Sequence, residues 1–340
     1  MEKLTTTHLP DGSVLTPDAE RFLSEWFDER PYVVAHTSGS TGSPKEIRLL
    51  KSDMRASAQA TIRFFGLTSA STLYLPLSPD YIAGKMQLVR ALEAECRIVV
   101  EQPSNSPKLT TATTTDRNNG DSAGEEISLL PVVPSQVDAV IESPRRRSIK
   151  AMIVGGAPLS VESERRILQA CIPTYATYGM TETCSHVALR KLGDDEFRAL
   201  PGFTFSLDER GCLAIESSTL SFSKLITNDI VDLTSPSSFR WLGRHDNVIN
   251  SGGIKIFPEE IERKIAPIVG ETVRFYVTSR PSARWGEEAV IVTDTPDLPP
   301  DLLDTIKLKI GSRLTPKAVI FDPDIRLTAS QKIIRRKFNS

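Results

Sequence analysis

Two spacings of apolar residues alternate along the first half of the chain. Apolar positions three and four apart, as in Phe22, Leu23 and Trp26, predict amphipathic helices, and short β-prone apolar runs predict strands. Helices are expected at 17–27, 52–65, 81–93, 134–142 and 161–171, and strands at 32–35, 72–77, 96–100, 149–154 and 173–178. This alternation predicts an α/β fold in which helices cover a mainly parallel sheet.

The pattern changes after Pro201, where strands and turns follow one another without long helices. Strands at 203–207, 213–217, 224–233 and 239–242 predict a small antiparallel β module. From Phe257 onward, helices at 258–265 and 301–313 and strands at 273–278, 289–293 and 318–321 predict a separate α+β unit. We therefore expect a large N-terminal domain over 1–245 and a smaller, mobile C-terminal domain over 246–340.

Composition narrows the classes of function. The 340 residues include 41 basic and 43 acidic side chains, a net charge of −2, which argues against a nucleic-acid partner. No apolar stretch approaches the roughly 20 residues that span a bilayer, and the N-terminus is polar, so we expect no membrane insertion and a cytoplasmic location. The four cysteines are widely spaced, which argues against a structural zinc site and a disulfide framework. A polar tract at 101–128 is expected to be a surface loop without chemistry.

The segment 36–45, His-Thr-Ser-Gly-Ser-Thr-Gly-Ser-Pro-Lys, has the composition of a phosphate-binding loop. Glycines let backbone N–H groups converge, hydroxyls add donors, and a lysine adds positive charge. The segment is not a Walker A loop, because Lys45 is followed by Glu46 rather than by Ser or Thr. Considered alone, it would be better explained as a flexible Ser/Gly loop. The candidate phosphate-binding residues are Thr37, Ser38, Gly39, Ser40, Thr41, Gly42 and Lys45.

Three further motifs follow in order along the chain. They are Tyr-Gly-Met-Thr-Glu-Thr at 178–183, a segment that runs from Gly-Arg-His-Asp-Asn at 243–247 to Glu262, and Leu-Thr-Ala-Ser-Gln-Lys-Ile-Ile-Arg at 327–335. In the first motif, the Thr181 hydroxyl is suited to an α-phosphate and the Glu182 carboxylate to Mg²⁺, a cation that prefers oxygen ligands. The alternatives are a strand-end turn with a solvated glutamate for the first motif and a basic surface tail for the last.

Together with the loop at 37–45, these motifs resemble those of the adenylate-forming superfamily, which contains acyl-CoA synthetases, luciferases and the adenylation domains of peptide synthetases. The resemblance implies Lys332, Thr181 and Glu182 as catalytic residues, with Glu182 also the metal ligand, and Asp246 as the hinge of the C-terminal domain. Asn228 and Gln331 stand where the family has glycine. By the same resemblance, adenine and ribose lie against Gly155, Gly156, Ala157, Tyr178, Gly179, Asp229 and Arg244, and the CoA channel passes Gly252 and Gly253.

Within that superfamily, the chain most resembles the short o-succinylbenzoate–CoA ligases of menaquinone biosynthesis, through the segments 77–85, 179–186 and 246–253. This resemblance implies ATP, CoA and a small aromatic acid as substrates, Mg²⁺ as the cofactor, and an acyl-adenylate that CoA converts to a thioester. The second carboxylate of such an acid needs a cationic or hydrogen-bonding partner. Lys85 is the first candidate, and Ser185, His186 and Arg190 are the second choices.

Two other interpretations stay open from the sequence. One is a different aryl- or acyl-CoA ligase, or an adenylation enzyme that charges a carrier domain. The other, from a different class, is a non-catalytic nucleotide-binding regulator, which Gln331 and the short segment before the phosphate loop would fit. Because a regulator would bind ATP without releasing pyrophosphate for any acid, an assay of pyrophosphate release distinguishes these classes.

Overall fold

The computed structural model describes residues 9–11, 13–36, 46–110, 125–270, 273–328 and 333–338, and these fall into two compact units. The first unit comprises 1–159, 163–204 and 216–224. The second comprises 160–162, 205–215 and 225–340. The strands at 224–244 belong mostly to the second unit. This division into compact units does not test the predicted boundary at 245/246 between an N-terminal domain and a mobile C-terminal domain, which stays a prediction.

The first part of the chain alternates helices and strands. In chain order the elements are α1 (Pro17–Trp26), β1 (Tyr32–His36), β2 (Glu46–Leu50), α2 (Lys51–Phe65), β3 (Thr72–Leu75), α3 (Ile82–Glu93), β4 (Arg97–Val100), β5 (Leu130–Val132), α4 (Val137–Glu142), β6 (Met152–Val154), α5 (Val161–Gln169), β7 (Thr174–Gly179), β8 (His186–Lys191) and β9 (Phe197–Ala199). Strands β5, β6 and β7 are parallel neighbours, and β8 and β9 extend the same sheet antiparallel. The α/β class is confirmed, and the sheet is mixed rather than mainly parallel.

Local sequence explains why the helices begin and end where they do. The Thr16 hydroxyl accepts a hydrogen bond from the Ala19 amide at 3.4 Å, and Pro17 occupies the first helical position, so α1 begins at Pro17. Its apolar face, which includes Phe22 and Trp26, is buried. Helix α2 ends at Gly66, whose φ of 63° is left-handed and unfavourable for other residues. These features match the sequence pattern closely.

The core of the first unit fixes the edge of the sheet that carries the motifs. Apolar side chains of β5 and β6, including Leu130 and Met152, pack with Val140 of α4 and Ile167 of α5. Because β5, β6 and β7 are parallel, their carboxyl ends lie at one edge of the sheet, where open α/β folds bind ligands. The 155–157 segment and the motif at 178–183 both follow such strand ends.

The second unit is an α+β arrangement. Its elements are β10 (Phe203–Leu207), β11 (Cys212–Ser217), β12 (Lys224–Ser235), β13 (Ser238–Arg244), β14 (Ile249–Ser251), β15 (Ile254–Ile256), α6 (Pro258–Val269), β16 (Phe275–Ser282), β17 (Gly286–Thr293), α7 (Leu302–Ile310) and β18 (Val319–Phe321). Strands β12 and β13 form an antiparallel pair, and a second sheet has the order β15-β14-β17-β16, with β18 paired to β17. Helices α6 and α7 cover that sheet through Ile261, Ile265 and Ile306. Among the described helices, none has the length and apolar character to cross a membrane.

Candidate functional site

Glycines allow the ends of β6 and β7 to approach their neighbours closely. A β-carbon at Gly155 would stand 2.5 Å from the Thr177 hydroxyl, which donates to the carbonyl of Val154 at 3.2 Å. A β-carbon at Gly179 would overlap the backbone of Ser185. Gly156 has a φ of 87°, a conformation that favours glycine. Residues 155–157 and 179 therefore form a tight backbone wall at the sheet edge, and the ring of Tyr178 packs on Phe197 beside it at 5.8 Å.

The short 3₁₀ helix Thr181–Thr183 follows that wall directly. Glu182 is exposed and has no ion-pair or hydrogen-bond partner among the described residues. The same part of the chain contains no group of three acidic, histidine or cysteine side chains that would hold a metal by itself. Mg²⁺ characteristically takes one or two protein carboxylates and completes its coordination with water and substrate phosphates. The single, uncommitted carboxylate of Glu182 fits that donor set.

A tight turn follows at Cys184, which the sequence did not indicate. Its φ of 61° and ψ of −40° are those of a γ-turn, and the Ser185 amide donates to the Thr183 carbonyl at 2.7 Å. Such turns are rare and strained for residues other than glycine. Burial raises the pKa of the Cys184 thiol to about 12, so it is not a nucleophile. After the turn, the Ser185 hydroxyl contacts Arg90 of helix α3 and His186 Nε2 contacts Thr61 of helix α2.

There the structure brings together a buried polar cluster of Thr61, Arg90, Ser185 and His186. Arg90 is 1 % exposed; it donates to Ser185 Oγ at 2.6 Å and to Gln87 Oε1 at 3.3 Å. His186 Nδ1 is 3.2 Å from Ser185 Oγ, and its Nε2 is 3.1 Å from the Thr61 hydroxyl. Burial lowers the pKa of Arg90 to about 9, and burial together with Arg90 holds the pKa of His186 well below its usual value.

Arg90 has no counter-ion in the described part of the chain. No carboxylate pairs with its guanidinium there, and its Nε atom is buried without a hydrogen-bond partner. A buried charge is normally paired, because removing it from water costs several kcal/mol. The sequence reasoning missed Arg90, although an arginine four residues after Met86 on an apolar helix face is an unusual position.

The two cationic side chains that the sequence proposed for the acid site, Lys85 and Arg190, already have carboxylate partners. Lys85 is buried, 3.3 Å from Glu25 Oε2 and 4.7 Å from the centre of the Phe22 ring, beside a cavity of about 500 Å³. Arg190 forms an ion pair with Glu164 at 2.5 Å and lies over the Phe197 ring. The structure thus brings Ser185 and His186 together with Arg90, whereas Lys85 and Arg190 are each balanced by a glutamate.

In the second unit, the predicted ribose and hinge residues are neighbours. Asp229 is 7 % exposed and accepts a hydrogen bond from Trp241 Nε1 at 3.2 Å. Arg244 lies 3.8 Å from Asp229 and 3.5 Å from Asp246. Asn228, which replaces the family's glycine, donates to Asp246 at 3.4 Å. Asp229 and Arg244 therefore lie next to each other and to the hinge candidate Asp246. This proximity is what binding of the ribose hydroxyls by both Asp229 and Arg244 would require.

The glycine pair at 252–253 forms the turn between β14 and β15. Both residues have positive φ, 57° and 82°. A β-carbon at Gly252 would stand 2.5 Å from the Trp285 ring, whereas one at Gly253 would meet no atom within 4 Å. Gly252 thus accommodates the indole, and open space beside Gly253 is compatible with a passing chain.

Two predicted elements lie outside the described residues: the phosphate loop at 37–45 and Lys332 with its neighbour Gln331. Their flanks are described. His36 and Glu46 pair across the β1–β2 ladder, so the ends of the loop segment are adjacent. Leu327 and Ile333 form a bridge, which brings together the two sides of the segment that contains Lys332.

Comparison with known proteins identifies a family and several relatives of this chain. The sequence profile of the family described as AMP-binding enzyme matches residues 6–207. The 2-succinylbenzoate–CoA ligase of Enterococcus faecalis is 26 % identical over 338 residues, which cover 90 % of this chain and 68 % of that protein. A crystal structure of an acyl-CoA synthetase (AMP-forming)/AMP-acid ligase II-like protein from Dyadobacter fermentans is 31 % identical with a TM-score of 0.61, covering 93 % of this chain and 91 % of that one. The o-succinylbenzoate coenzyme A synthetase MenE of Bacillus subtilis, in complex with ATP and magnesium ion, shares the fold at 20 % identity and a TM-score of 0.72, covering 89 % of this chain and 68 % of that one.

Proposed function

This chain belongs to the family of AMP-binding enzymes and is an adenylate-forming acyl-CoA ligase, and we propose that its acid is o-succinylbenzoate. That acid is named for the relatives from E. faecalis and B. subtilis. The sequence resemblance to o-succinylbenzoate–CoA ligases implies a step of menaquinone biosynthesis. The molecule carries a succinyl carboxylate, which is activated, and a ring carboxylate, which is not. The proposal therefore requires a cationic or hydrogen-bonding partner for the ring carboxylate.

The observation that carries the proposal is the buried guanidinium of Arg90 without a counter-ion among the described residues. A substrate carboxylate at this position would supply the missing charge and form charge-assisted hydrogen bonds with the guanidinium. Ser185 and His186 would orient it, because both already hydrogen-bond within the cluster. We place Arg90 ahead of Lys85 as the anchor, since Glu25 already balances the charge of Lys85.

The first half-reaction assigns a role to each motif. The Thr181 hydroxyl holds the α-phosphate of ATP, and Asp229 accepts hydrogen bonds from the ribose hydroxyls. Lys332 brings positive charge to the carboxylate and the α-phosphate, which reduces their repulsion as the acyl-adenylate forms and pyrophosphate leaves. Mg²⁺, held by Glu182, would neutralise phosphate charge when bound.

In the second half-reaction, the C-terminal domain rotates about Asp246 and presents the Gly253 face, past which the thiol of CoA reaches the acyl-adenylate. The thiol releases its proton to solvent as its sulfur attacks the carbonyl carbon, the carbonyl carbon–oxygen bond to the adenylate breaks, and AMP leaves with the bonding electron pair. The same site thus performs two reactions in sequence.

A pyrophosphate-release screen tests the function. We expect release with o-succinylbenzoate, and much less with 4-oxo-4-phenylbutanoate, which lacks only the ring carboxylate; CoA should then yield the thioester. A preference for a monocarboxylic aryl acid would contradict the o-succinylbenzoate assignment. ATP binding without pyrophosphate release for any acid would indicate the regulator, and transfer to a carrier domain instead of CoA would indicate the carrier-charging enzyme.

A further inference from the structure

The C-terminal segment contains an arginine that is held unlike its neighbours. Both terminal nitrogens of Arg335 contact Glu262, with Nη2 at 2.7 Å from Oε2, and Nη1 also donates to the Val277 carbonyl at 3.0 Å. Nη2 lies 3.7 Å from Glu259 Oε1. The side chains of these three charged residues are between 10 % and 19 % exposed. Arg335 is therefore an interior ion-pair member and not part of a solvated basic tail.

This arginine belongs to a segment docked along β16. The Thr278 hydroxyl donates to the Arg336 carbonyl at 2.8 Å, and the Phe338 amide donates to the Ser279 carbonyl at 3.2 Å. On the other side, the Ile334 amide donates to the Arg326 carbonyl at 2.9 Å. Most of these contacts use backbone atoms, which exist for almost any side chain. The fork of Arg335 is the specific side-chain contact that ties the segment to α6.

Glu259 connects the same cluster to the predicted hinge. Its Oε1 accepts a hydrogen bond from Asn247 Nδ2 at 2.5 Å, and Asn247 directly follows Asp246. Its Oε2 is buried without a hydrogen-bond partner among the described residues. Gly243 leaves the room for this carboxylate, because a β-carbon there would overlap Oε2. One carboxylate therefore faces both the turn that contains the predicted hinge residue and the arginine.

The charges of the cluster make the arginine hard to replace. Two carboxylates face one guanidinium, and burial raises the pKa of Glu262 while Arg335 opposes that shift. Without the guanidinium, the two partly desolvated carboxylates would have no cation beside them among the residues that the structure describes. A lysine would retain the charge but lose the planar fork that matches both oxygens of Glu262.

We propose that Arg335, three residues after Lys332, is a positioning residue for the first half-reaction. Its bidentate contact with Glu262 holds the segment 333–338 against α6 and β16. The proposal rests on the proposed catalytic role of Lys332. Lys332 acts only if its ammonium reaches two reacting groups at once, and a displacement of about 1 Å in such a group can lower a rate about a hundredfold. The second half-reaction does not use Lys332, so its rate should depend much less on the fork.

The test compares Arg335→Met and Arg335→Lys with Arg336→Met, a matched control that removes the adjacent, more exposed arginine whose side chain pairs with Asp322. We expect Arg335→Met to slow acid-dependent pyrophosphate release by about 30-fold or more and Arg335→Lys by about tenfold, both within the range of a misplaced catalytic group. Thioester formation from supplied acyl-adenylate should stay within about threefold of wild type in both, and Arg336→Met should match wild type in both half-reactions. Equal losses in the two half-reactions, or an unaffected first half-reaction, would overturn the proposal.

Hydrogen exchange of peptides that cover 333–338 gives a second readout that needs no turnover. Exchange there should be faster in Arg335→Met than in Arg336→Met and wild type, because the anchored segment opens more often without the fork. Unchanged exchange would overturn the anchoring even if activity fell. If the wild-type enzyme releases no pyrophosphate with any acid, the proposed function fails, and the exchange measurement alone then decides whether Arg335 anchors the segment.

Discussion

Replacement of Arg90 by methionine tests separately what the buried charge costs in folding stability and what it contributes to binding of the acid. Methionine keeps most of the unbranched stem and removes the guanidinium. The lowering of the Arg90 pKa to about 9 corresponds to a cost of about 5 kcal/mol for keeping the cation in the substrate-free interior, at about 1.4 kcal/mol for each pKa unit. Its two hydrogen bonds, to Ser185 and Gln87, return about 1.5 to 3 kcal/mol each. The two contributions nearly cancel.

We therefore expect Arg90→Met to change the free energy of unfolding by less than about 2 kcal/mol, whereas removing one partner of a balanced buried ion pair costs about 3 to 5 kcal/mol. Lys85→Met is the matched comparison on the same helix, because it removes the nearer of the two cations beside the partly buried Glu25, leaving Arg30 at 3.9 Å, and should be the more destabilising change. Urea denaturation of both variants without substrate measures this difference.

The effect on catalysis should be large and specific to the ring carboxylate. Truncating one partner of a buried charge pair across an interface costs about 2 kcal/mol or more, so kcat/KM for o-succinylbenzoate should fall at least about 30-fold in Arg90→Met. The value for 4-oxo-4-phenylbutanoate and the KM for ATP should stay within about threefold. If Arg90→Met keeps the wild-type ratio of the two acids, Arg90 is not the anchor; if Lys85→Met loses that ratio instead, the anchor is Lys85.

Four further outcomes follow from the proposed roles. Lys332→Ala should nearly abolish pyrophosphate release, by about a hundredfold or more, and leave thioester formation from supplied acyl-adenylate mostly intact; equal losses in both assays would contradict its role. Asp246→Pro should do the reverse, because proline fixes φ and hinders rotation, and unchanged steady-state ligase activity would place the hinge elsewhere. Glu182→Gln should shift the Mg²⁺ titration of pyrophosphate release to higher concentration, and a normal titration would return Glu182 to a solvated turn. Because burial and Arg90 hold the pKa of His186 well below its usual value, the unfolded chain takes up a proton below about pH 6.5 that the folded protein does not, so stability should fall with acid by up to about 1.4 kcal/mol per pH unit. His186→Gln should flatten that fall in urea titrations at pH 7 and pH 5.5, and an identical slope would show that His186 does not cause it.

The accuracy of the fold prediction follows how local each signal is. Helices α1 and α2 were predicted closely, because a cap at Thr16 and a left-handed glycine at Gly66 are properties of a few adjacent residues. Strand β5 was missed because it has three residues with a proline in the middle. Strand β8 was not predicted at all, and its antiparallel pairing with β7 was therefore missed as well, since periodicity does not predict which strands pair.

The site shows the same division between local and distant information. The sequence predicted that the residues at 155–157 and 178–182 follow strands, because a glycine turn after a strand can be recognised locally. The structure places them at the ends of the neighbouring strands β6 and β7. Arg90 was missed because it is notable only for the lack of a carboxylate partner among the described residues, and the sequence does not show which side chains surround it. Nothing within helix α3 indicates that Ser185, almost a hundred residues later, would be its partner or that no described carboxylate would pair with it. The role of Cys184 was missed because a γ-turn has no residue signature there.

The buried charge of Arg90, unpaired among the described residues, is itself an argument about the ligand. A cation retained only for structure would be expected to sit beside a carboxylate, as Arg335 does with Glu262 and Lys85 does with Glu25. His186 cannot offset the charge of Arg90, since an imidazole with a lowered pKa is neutral at pH 7 and becomes cationic only in acid. The cluster is therefore least stable when empty and gains most from an anion that enters it. An acid with a second carboxylate should raise the melting temperature of the wild-type enzyme through this contact, and that stabilisation should be absent with the monocarboxylic analogue, whose ring offers the guanidinium no charge.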